Sequence, residues 1–202
     1  MAPAIWNKQN LREQALEKRD GLAMPDRYSA AQGLVEKAPI KVAEKCFSAY
    51  HAIGSEIDPA PLVAALVSQG SRLALPVLLD QTTMVFRRWD PGKSLVPVGF
   101  GTLGPDADQP EMFPDLILAP LAAFSSAGQR IGYGKGHYDR CLSKMHAAGH
   151  FPGFVGLAFE EQEVPPFATE AHDIPLHGVL TPSGLRIFDH GQEVLAPFLA
   201  SS

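Results

Sequence analysis

Cysteine is nearly missing from this chain: its 202 residues hold two, Cys46 and Cys141. With no secretory context around them, a disulfide framework is not the organising device, and reduced thiols in a cytoplasmic protein are expected. Long apolar runs are missing too. No stretch reaches the roughly 18 apolar residues that cross a bilayer, and the N-terminus lacks the uninterrupted apolar core of a signal peptide. Basic charge is in deficit, with 17 Lys and Arg against 22 Asp and Glu and a formal net charge of −5. That leaves no face-wide cationic excess for a nucleic acid, so a site for an anionic ligand must make its positive potential locally. Low-complexity tracts are also absent: 18 prolines and 18 glycines are scattered, which argues for a loop-rich enzyme rather than a linker. What remains, 46% apolar and 19% charged residues, is the mixture of a soluble globular protein, long enough for one compact domain spanning 1–202. A monomer that binds neither membrane nor nucleic acid is the expectation.

Against this background one stretch is dense in chemistry: Gly128-Gln129-Arg130-Ile131-Gly132-Tyr133-Gly134-Lys135-Gly136-His137-Tyr138-Asp139-Arg140, which follows the apolar run at 115–120. Its alternating glycines allow positive φ and let backbone N–H groups close on a ligand. Arg130, Lys135 and Arg140 surround those amides, and each can give an anionic oxygen a charge-assisted hydrogen bond of roughly 1.5–3 kcal/mol. A carboxylate such as Asp139 belongs beside a polyphosphate only with a cation between them, and magnesium takes one or two carboxylates plus phosphate oxygens. The pattern points to a magnesium-bound nucleotide. It is not a P-loop, since Gly136 follows Lys135 where Ser or Thr is required, and the Gly-x-Gly-x-x-Gly spacing is absent. A mobile glycine turn between strand and helix explains the glycines but not the cations and Asp139.

Elsewhere strands and helices alternate. Asn7 is a candidate N-cap for a helix to about Ala23, with Leu11, Ala15 and Leu22 on one side and Lys8, Arg12 and Arg19 in a stripe roughly 40° wide beside them. That stripe reads as a solvated face paired with Glu13 and Glu17, or as an anion site. Ser29 to Ala38 predicts a second helix. Cys46 to His51 predicts a strand; Asp58 and Pro59 start a helix through Leu66 that stops at Gly70, and Arg72 to Val77 form the next strand, a parallel βαβ unit. Glu56 then falls at the carboxyl end of a strand, where open α/β sheets bind ligands, although a surface or capping carboxylate satisfies the same spacing. Thr83 to Gly92 predicts a strand and turn with Ser94 to Val98 pairing back as a hairpin, and Gly99 to Pro110 a loop. Arg87 and Arg88 read as surface arginines. Tyr138 to Ala148 predicts a helix ended by Gly149, with Asp139 in its first turn. Residues 154–159, 178–181 and 185–188 read as strands, and the tail after His190 carries no signal. The expected fold is α/β, a three-layer sandwich with a largely parallel sheet, some antiparallel edge, and helices on both faces.

The run from Arg130 to Arg140 resembles the signature of the 5-formyltetrahydrofolate cyclo-ligase (methenyltetrahydrofolate synthetase) family, approximately Arg-Leu-Gly-x-Gly-x-Gly-Tyr-Tyr-Asp-Arg. Other blocks agree: Lys8-Gln9-Asn10-Leu11-Arg12 with the family's Lys-x-x-Leu-Arg, Ser55-Glu56-Ile57-Asp58 with Ser-Glu-Ile-Asp, the segment from Phe86 to Gly92 with Phe-Arg-x-Tyr-x-Pro-Gly, and His172-Asp173-Ile174-Pro175 with His-Asp-x-Pro. His137 stands where a first Tyr is common, and Ser125 where Asp is expected. The resemblance implies the same fold class and a reaction in which ATP and magnesium convert 5-formyltetrahydrofolate to 5,10-methenyltetrahydrofolate, ADP and phosphate through a phosphorylated formyl group.

It also implies residue roles. Lys8 and Arg12 contact ATP phosphates, and Arg130, Ile131, Gly132, Tyr133, Gly134, Lys135, Gly136, His137 and Tyr138 complete the ATP site. Arg130, Lys135 and Asp139 are the catalytic candidates. Glu56 contacts the folate, with Tyr133, Gly134, Lys135, Gly136 and His137 between the two substrates. Asp139 and Asp173 are the magnesium carboxylates, His172 is structural or supports its neighbour, and Arg19 matches a recurrent arginine of open role. Two alternatives stand beside this reading: a nucleotide sensor that has lost the reaction, hinted at by His137 and Ser125, and an enzyme that phosphorylates another small amide or carboxylate. Glu56 favours folate over both.

Overall fold

A computed structural model of the chain describes residues 7–98 and 102–200. Asn7 caps Lys8–Asp20 (α1), its side chain accepting the Gln9 N–H at 2.8 Å. Met24–Lys37 (α2) begins before the expected Ser29, because Pro25 suits a first helical turn, where its missing N–H costs nothing. Cys46–Ser48 (β1), Ala60–Val67 (α3) and Arg72–Leu78 (β2) form the expected unit, with β1 and β2 parallel and Cys46 opposite Arg72. Pro59 rather than Asp58 takes the cap position of α3, and Asp58 instead accepts the Ala60 N–H.

Met84–Arg88 (β3) runs back antiparallel to β2. The expected return of residues 94–98 onto this strand does not form. Val96–Pro97 (β4) pairs with Leu103–Gly104 (β5) instead, so part of the expected 99–110 loop is strand, and Glu111–Met112 (β6) takes the outer edge of β3. Pro97 has no N–H to give a ladder, which suits a two-residue edge pairing. Residues 99–101 of that loop lie outside the described residues.

The remaining elements are Leu116–Ala119 (β7), Ala123–Ser125 (β8), Arg130–Ile131 (β9), His137–Ala147 (α4), Gly153–Leu157 (β10), Glu163–Val164 (β11), Gly178–Thr181 (β12), Gly184–Ile187 (β13) and Gln192–Leu195 (α5). The main sheet has the order β13-β12-β10-β7-β1-β2-β3-β6. Its five central strands are parallel, β13 and β3 run antiparallel to them, and β6 pairs antiparallel with β3. The central strands read as unbroken apolar runs because both their faces are covered. On one face Phe47, Leu116 and Leu118 meet Leu34 of α2 and Leu62 and Leu66 of α3. On the other, Cys46, Ile117 and Ala119 meet Cys141, Leu142 and Met145 of α4. This is the α/β architecture expected, with helices on both faces.

A second sheet, in the order β11-β8-β9, carries α1. Leu11 and Ala15 pack there on Ala123, Ile131, Val164 and Phe167. Strands of two or three residues are too short to show a period, so this sheet is not foreseen from the apolar pattern. The uninformative tail closes the main core with Leu195 and Phe198. Among the described residues no helix is long and apolar enough to cross a membrane.

Candidate active site

The segments that leave the carboxyl ends of β1 and β7, the end of β2, and the loop from β9 to α4 surround a cavity of about 750 Å³. The first turn of α1 and residues 170, 172 and 173 complete its wall. Lys8, Arg12, Glu56, all of residues 130–140 and Asp173 line this one cavity. It therefore gathers every position singled out from the sequence as catalytic, binding or metal-holding.

The glycine loop owes its shape to two left-handed positions. Gly134 has φ 85°, and Gly136 has φ 61° at the N-cap of α4, a conformation that costs other residues about 1 kcal/mol or more. Each loop glycine also leaves room for an arginine. A β-carbon on Gly132 would lie 2.9 Å from Arg130 Nη1, one on Gly136 3.0 Å from Arg140 Nη1, and one on Gly134 3.8 Å from Arg12 Nη2. The guanidiniums thus lie against bare backbone: Arg12 Nε donates to the Gly132 carbonyl at 2.8 Å, and Arg140 donates to Thr82 and Lys135 carbonyls at 2.8 and 2.6 Å.

Two cations of the cavity are held by carboxylates. Arg130 Nη2 lies 2.7 Å from Asp139 Oδ1, both side chains nearly buried, and Lys8 Nζ lies 2.5 Å from Asp173 Oδ2. Arg130 also lies over the rings of Tyr138 and Phe154, and its buried Nε has no partner among the described residues. Asp139 Oδ1 accepts the Ile174 N–H at 3.1 Å, which sets Asp139 against the backbone neighbour of Asp173. Burial works against the Asp173 carboxylate, but the Lys8 ammonium and the Glu170 N–H hold it below its ordinary range. Lys135 is exposed and has no ion pair among the described residues. A chain of net negative charge so brings Lys8, Arg12, Arg130, Lys135 and Arg140 to the wall of one cavity.

The cavity is not lined by charge alone. Leu75, Pro76, Leu78 and Met84 give it an apolar wall. Glu56 stands in a turn where its Oε2 accepts the Ile53 N–H at 2.9 Å. Tyr133 lies beside it; burial first, and then the Glu56 carboxylate, raise the Tyr133 phenol above its ordinary range. Tyr138, deeper in the wall, is raised by burial and by the same carboxylate.

Magnesium would find Asp139 and Asp173 here. Among the described residues no group of three or more His, Cys, Asp or Glu side chains is arranged to hold a metal. The donor set therefore fits an ion carried by phosphate oxygens and touched by one or two carboxylates, not one caged by protein.

The two departures from the family pattern have local explanations. His137 Nε2 is 3.0 Å from the Gln81 carbonyl, to which that N–H donates. Ser125 is fully buried in the β8 turn, donating to Gln129 Oε1 at 2.9 Å and accepting the Ala127 N–H at 3.2 Å. His172 is exposed, 3.5 Å from Glu170. Arg87 and Arg88 do not line the cavity: Arg87 is tied to loop carbonyls and Glu111, and Arg88 to Asp90. Arg19 corrects the helix reading. It shares the buried stripe of Leu11 and Ala15, not the cavity-facing stripe of Lys8 and Arg12. Sequence reasoning also missed Tyr50, whose buried hydroxyl donates to the Ile57 carbonyl at 2.8 Å behind Glu56. An aromatic two residues after a short strand gives no warning of that role.

The sequence model of the 5-formyltetrahydrofolate cyclo-ligase family matches residues 4–182. A 5-formyltetrahydrofolate cyclo-ligase of Haemophilus influenzae is 29% identical over 182 residues, covering 86% of this chain and 96% of that protein. One of Escherichia coli is 32% identical over 160 residues, covering 76% and 86%. Among solved structures, a 5,10-methenyltetrahydrofolate synthetase of Aquifex aeolicus superposes with a TM-score of 0.71 at 25% identity, covering 90% of this chain and 93% of that one. The fold is shared as well with one from Mycoplasma pneumoniae, TM-score 0.70 at 22% identity, covering 88% and 99%.

Proposed function

The chain belongs to the 5-formyltetrahydrofolate cyclo-ligase family, and from that premise we propose that its cavity seats ATP and a reduced folate end to end and uses magnesium to couple them. The family activity, closure of 5-formyltetrahydrofolate to 5,10-methenyltetrahydrofolate, makes it a ligase of one-carbon metabolism. The observation that carries the finer reading is the mixed lining of one cavity: five cationic side chains and a glycine loop share it with Glu56 and the apolar side chains Leu75, Pro76, Leu78 and Met84. A volume of about 750 Å³ is in the upper part of the roughly 300–1,000 Å³ usual for ligand sites.

The formyl oxygen of the substrate is a poor leaving group. It attacks the γ-phosphorus of ATP, the bond to the bridging oxygen breaks, and ADP leaves. The neighbouring folate nitrogen then adds to the activated carbon, loses its proton, and expels phosphate as the ring closes. The protein's task is to position and to neutralise. Lys8, Arg12, Arg130 and Lys135 hold the phosphates together with the loop amides. Arg130 and Lys8 exchange their carboxylate partners for phosphate oxygens, which leaves Asp139 and Asp173 to hold magnesium. Bound there, the ion supplies screening of charge between phosphate oxygens. Glu56 accepts the N–H donors of the pterin, and residues 133–137 lie between the substrates. No covalent nucleophile is required. Residues 1–202 act as one domain and as a cytoplasmic monomer in this reading, with neither nucleic acid nor membrane as a partner.

The test is near-ultraviolet absorbance of purified protein with 5-formyltetrahydrofolate, because the methenyl product is the more conjugated. A rise that requires both ATP and magnesium is expected. A rise that is indifferent to magnesium removes Asp139 and Asp173 from their role, and a flat trace from folded, ATP-binding protein removes the substrate assignment.

A further inference from the structure

Arg19 is 6% exposed and lies behind the cavity wall rather than in it. A cation on the buried stripe of a helix is costly unless fully engaged. Its two ends are engaged with different elements: Nε donates to Ser55 Oγ at 2.9 Å, and Nη1 donates to the Tyr133 hydroxyl at 2.6 Å. Ser55 immediately precedes Glu56, and its own hydroxyl donates to Asp20. Tyr133 belongs to the glycine loop and lines the cavity. Because the Tyr133 oxygen accepts from Arg19, its proton is left for the neighbouring Glu56 carboxylate. Burial and that carboxylate keep the phenol protonated.

We infer that Arg19 is a positioning residue for the cyclo-ligase reaction: its guanidinium fixes the glycine loop against the Glu56 turn and so sets the distance between the phosphate end and the folate end of the cavity. This rests on the two-substrate reading above. The planar fork is the reason for an arginine, since Nε and Nη1 are two separate nitrogens held in fixed directions, whereas a lysine gathers its donors on a single nitrogen. Lys8, Arg12, Arg130 and Lys135 make none of these contacts, so the inference predicts a larger defect in folate use than in ATP binding.

A double-mutant cycle on Arg19→Lys and Tyr133→Phe tests it, with folate kinetics from methenyl absorbance and ATP affinity from calorimetry. Arg19→Lys is expected to lower kcat/KM for the folate by about 10- to 100-fold, the scale of a misplaced reactant, while ATP affinity, carried by Lys8, Arg12, Arg130 and Lys135, falls several-fold less. Tyr133→Phe should cost less in the Arg19→Lys background than in the wild type, because the Arg19 linkage is already broken there and only the contact with Glu56 is left to lose. Additive losses, or a loss shared equally by ATP and folate, overturn the inference. Should Arg19→Lys not fold, Ser55→Ala breaks the other arm of the fork and leaves the cation in place; the same predominance of the folate defect is expected, and wild-type kinetics would overturn the role. A wild-type protein that forms no methenyl product overturns the underlying reading instead, and the inference with it.

Discussion

At the scale of single residues, the site is a set of cations that differ in what already holds them. Arg130 and Lys8 sit against carboxylates, Arg12 and Arg140 against carbonyls, and Lys135 has no ion pair among the described residues. Removing Lys135 should therefore leave the apo structure intact and cost only what it gives the nucleotide. Lys135→Ala is expected to weaken ATP binding by about ten- to a hundredfold, the equivalent of one charge-assisted hydrogen bond, with folate KM little changed; calorimetry showing wild-type ATP affinity would contradict its role. Asp139→Asn is a different experiment, because it also releases Arg130 from its 2.7 Å contact. Turnover should fall and the magnesium needed for half-maximal rate should rise, and a metal titration superimposable on wild type would take Asp139 out of the metal site. The sequence located both residues by motif. It did not reveal that Asp139 is paired within its own loop, because the pairing depends on Gly132 leaving space for Arg130.

At the scale of elements, long and periodic segments were legible and short ones were not. α1, α3, α4 and the parallel strands lie close to where caps, glycines and apolar runs put them. The β11-β8-β9 sheet and the β4-β5 pair escaped because two- and three-residue strands are made by tertiary contact rather than by pattern. Arg19 escaped for a related reason: its helical position borders both the apolar and the basic stripes, and only Tyr133 and Ser55, distant in sequence, draw it inward. Two glycines show how differently the elements carry the site. Gly156, in β10, has Leu121 Cδ2 2.4 Å and Leu176 Cδ1 3.0 Å from where a β-carbon would be. Gly156→Ala is thus an overpacking change, expected to cost about 1–3 kcal/mol in urea unfolding while folded molecules keep normal turnover. Gly136→Ala strains the left-handed cap of α4 and presses on Arg140, costing about 1–2 kcal/mol, and it should also weaken ATP because the loop amides move. Equal effects of the two on ATP affinity would mean that the loop geometry does not matter to binding.

At the scale of the whole molecule, two neighbouring strands of the sheet are tied by a histidine that does not line the cavity. His177 Nδ1 accepts the Phe154 N–H at 3.0 Å while its backbone N–H donates to the Phe154 carbonyl at 2.7 Å, fastening the entry to β12 onto β10. An imidazole that accepts at Nδ1 must be unprotonated there. Burial first, then the nearby His190 and His146, lower its pKa from 6.5 to about 4. The sign follows from proton counting: between these two values the unfolded chain binds a proton that the folded chain refuses, so stability rises with pH across the window. Its contribution is complete above pH 6.5, is lost as the pH falls toward 4, and adds no slope below that. Asp173, held below its ordinary value of 3.8, loses its share only at still lower pH, so the two groups separate along the axis. His177→Asn keeps an oxygen acceptor for the Phe154 N–H and removes the titration. It should lie within about 1 kcal/mol of wild type at neutral pH, the scale of one hydrogen bond, and its unfolding free energy should fall less steeply on acidification, by up to one proton's worth of slope. Urea unfolding at intervals from pH 7 to pH 4 measures that slope directly. Parallel curves for the two proteins would mean that another group supplies the acid sensitivity of the fold.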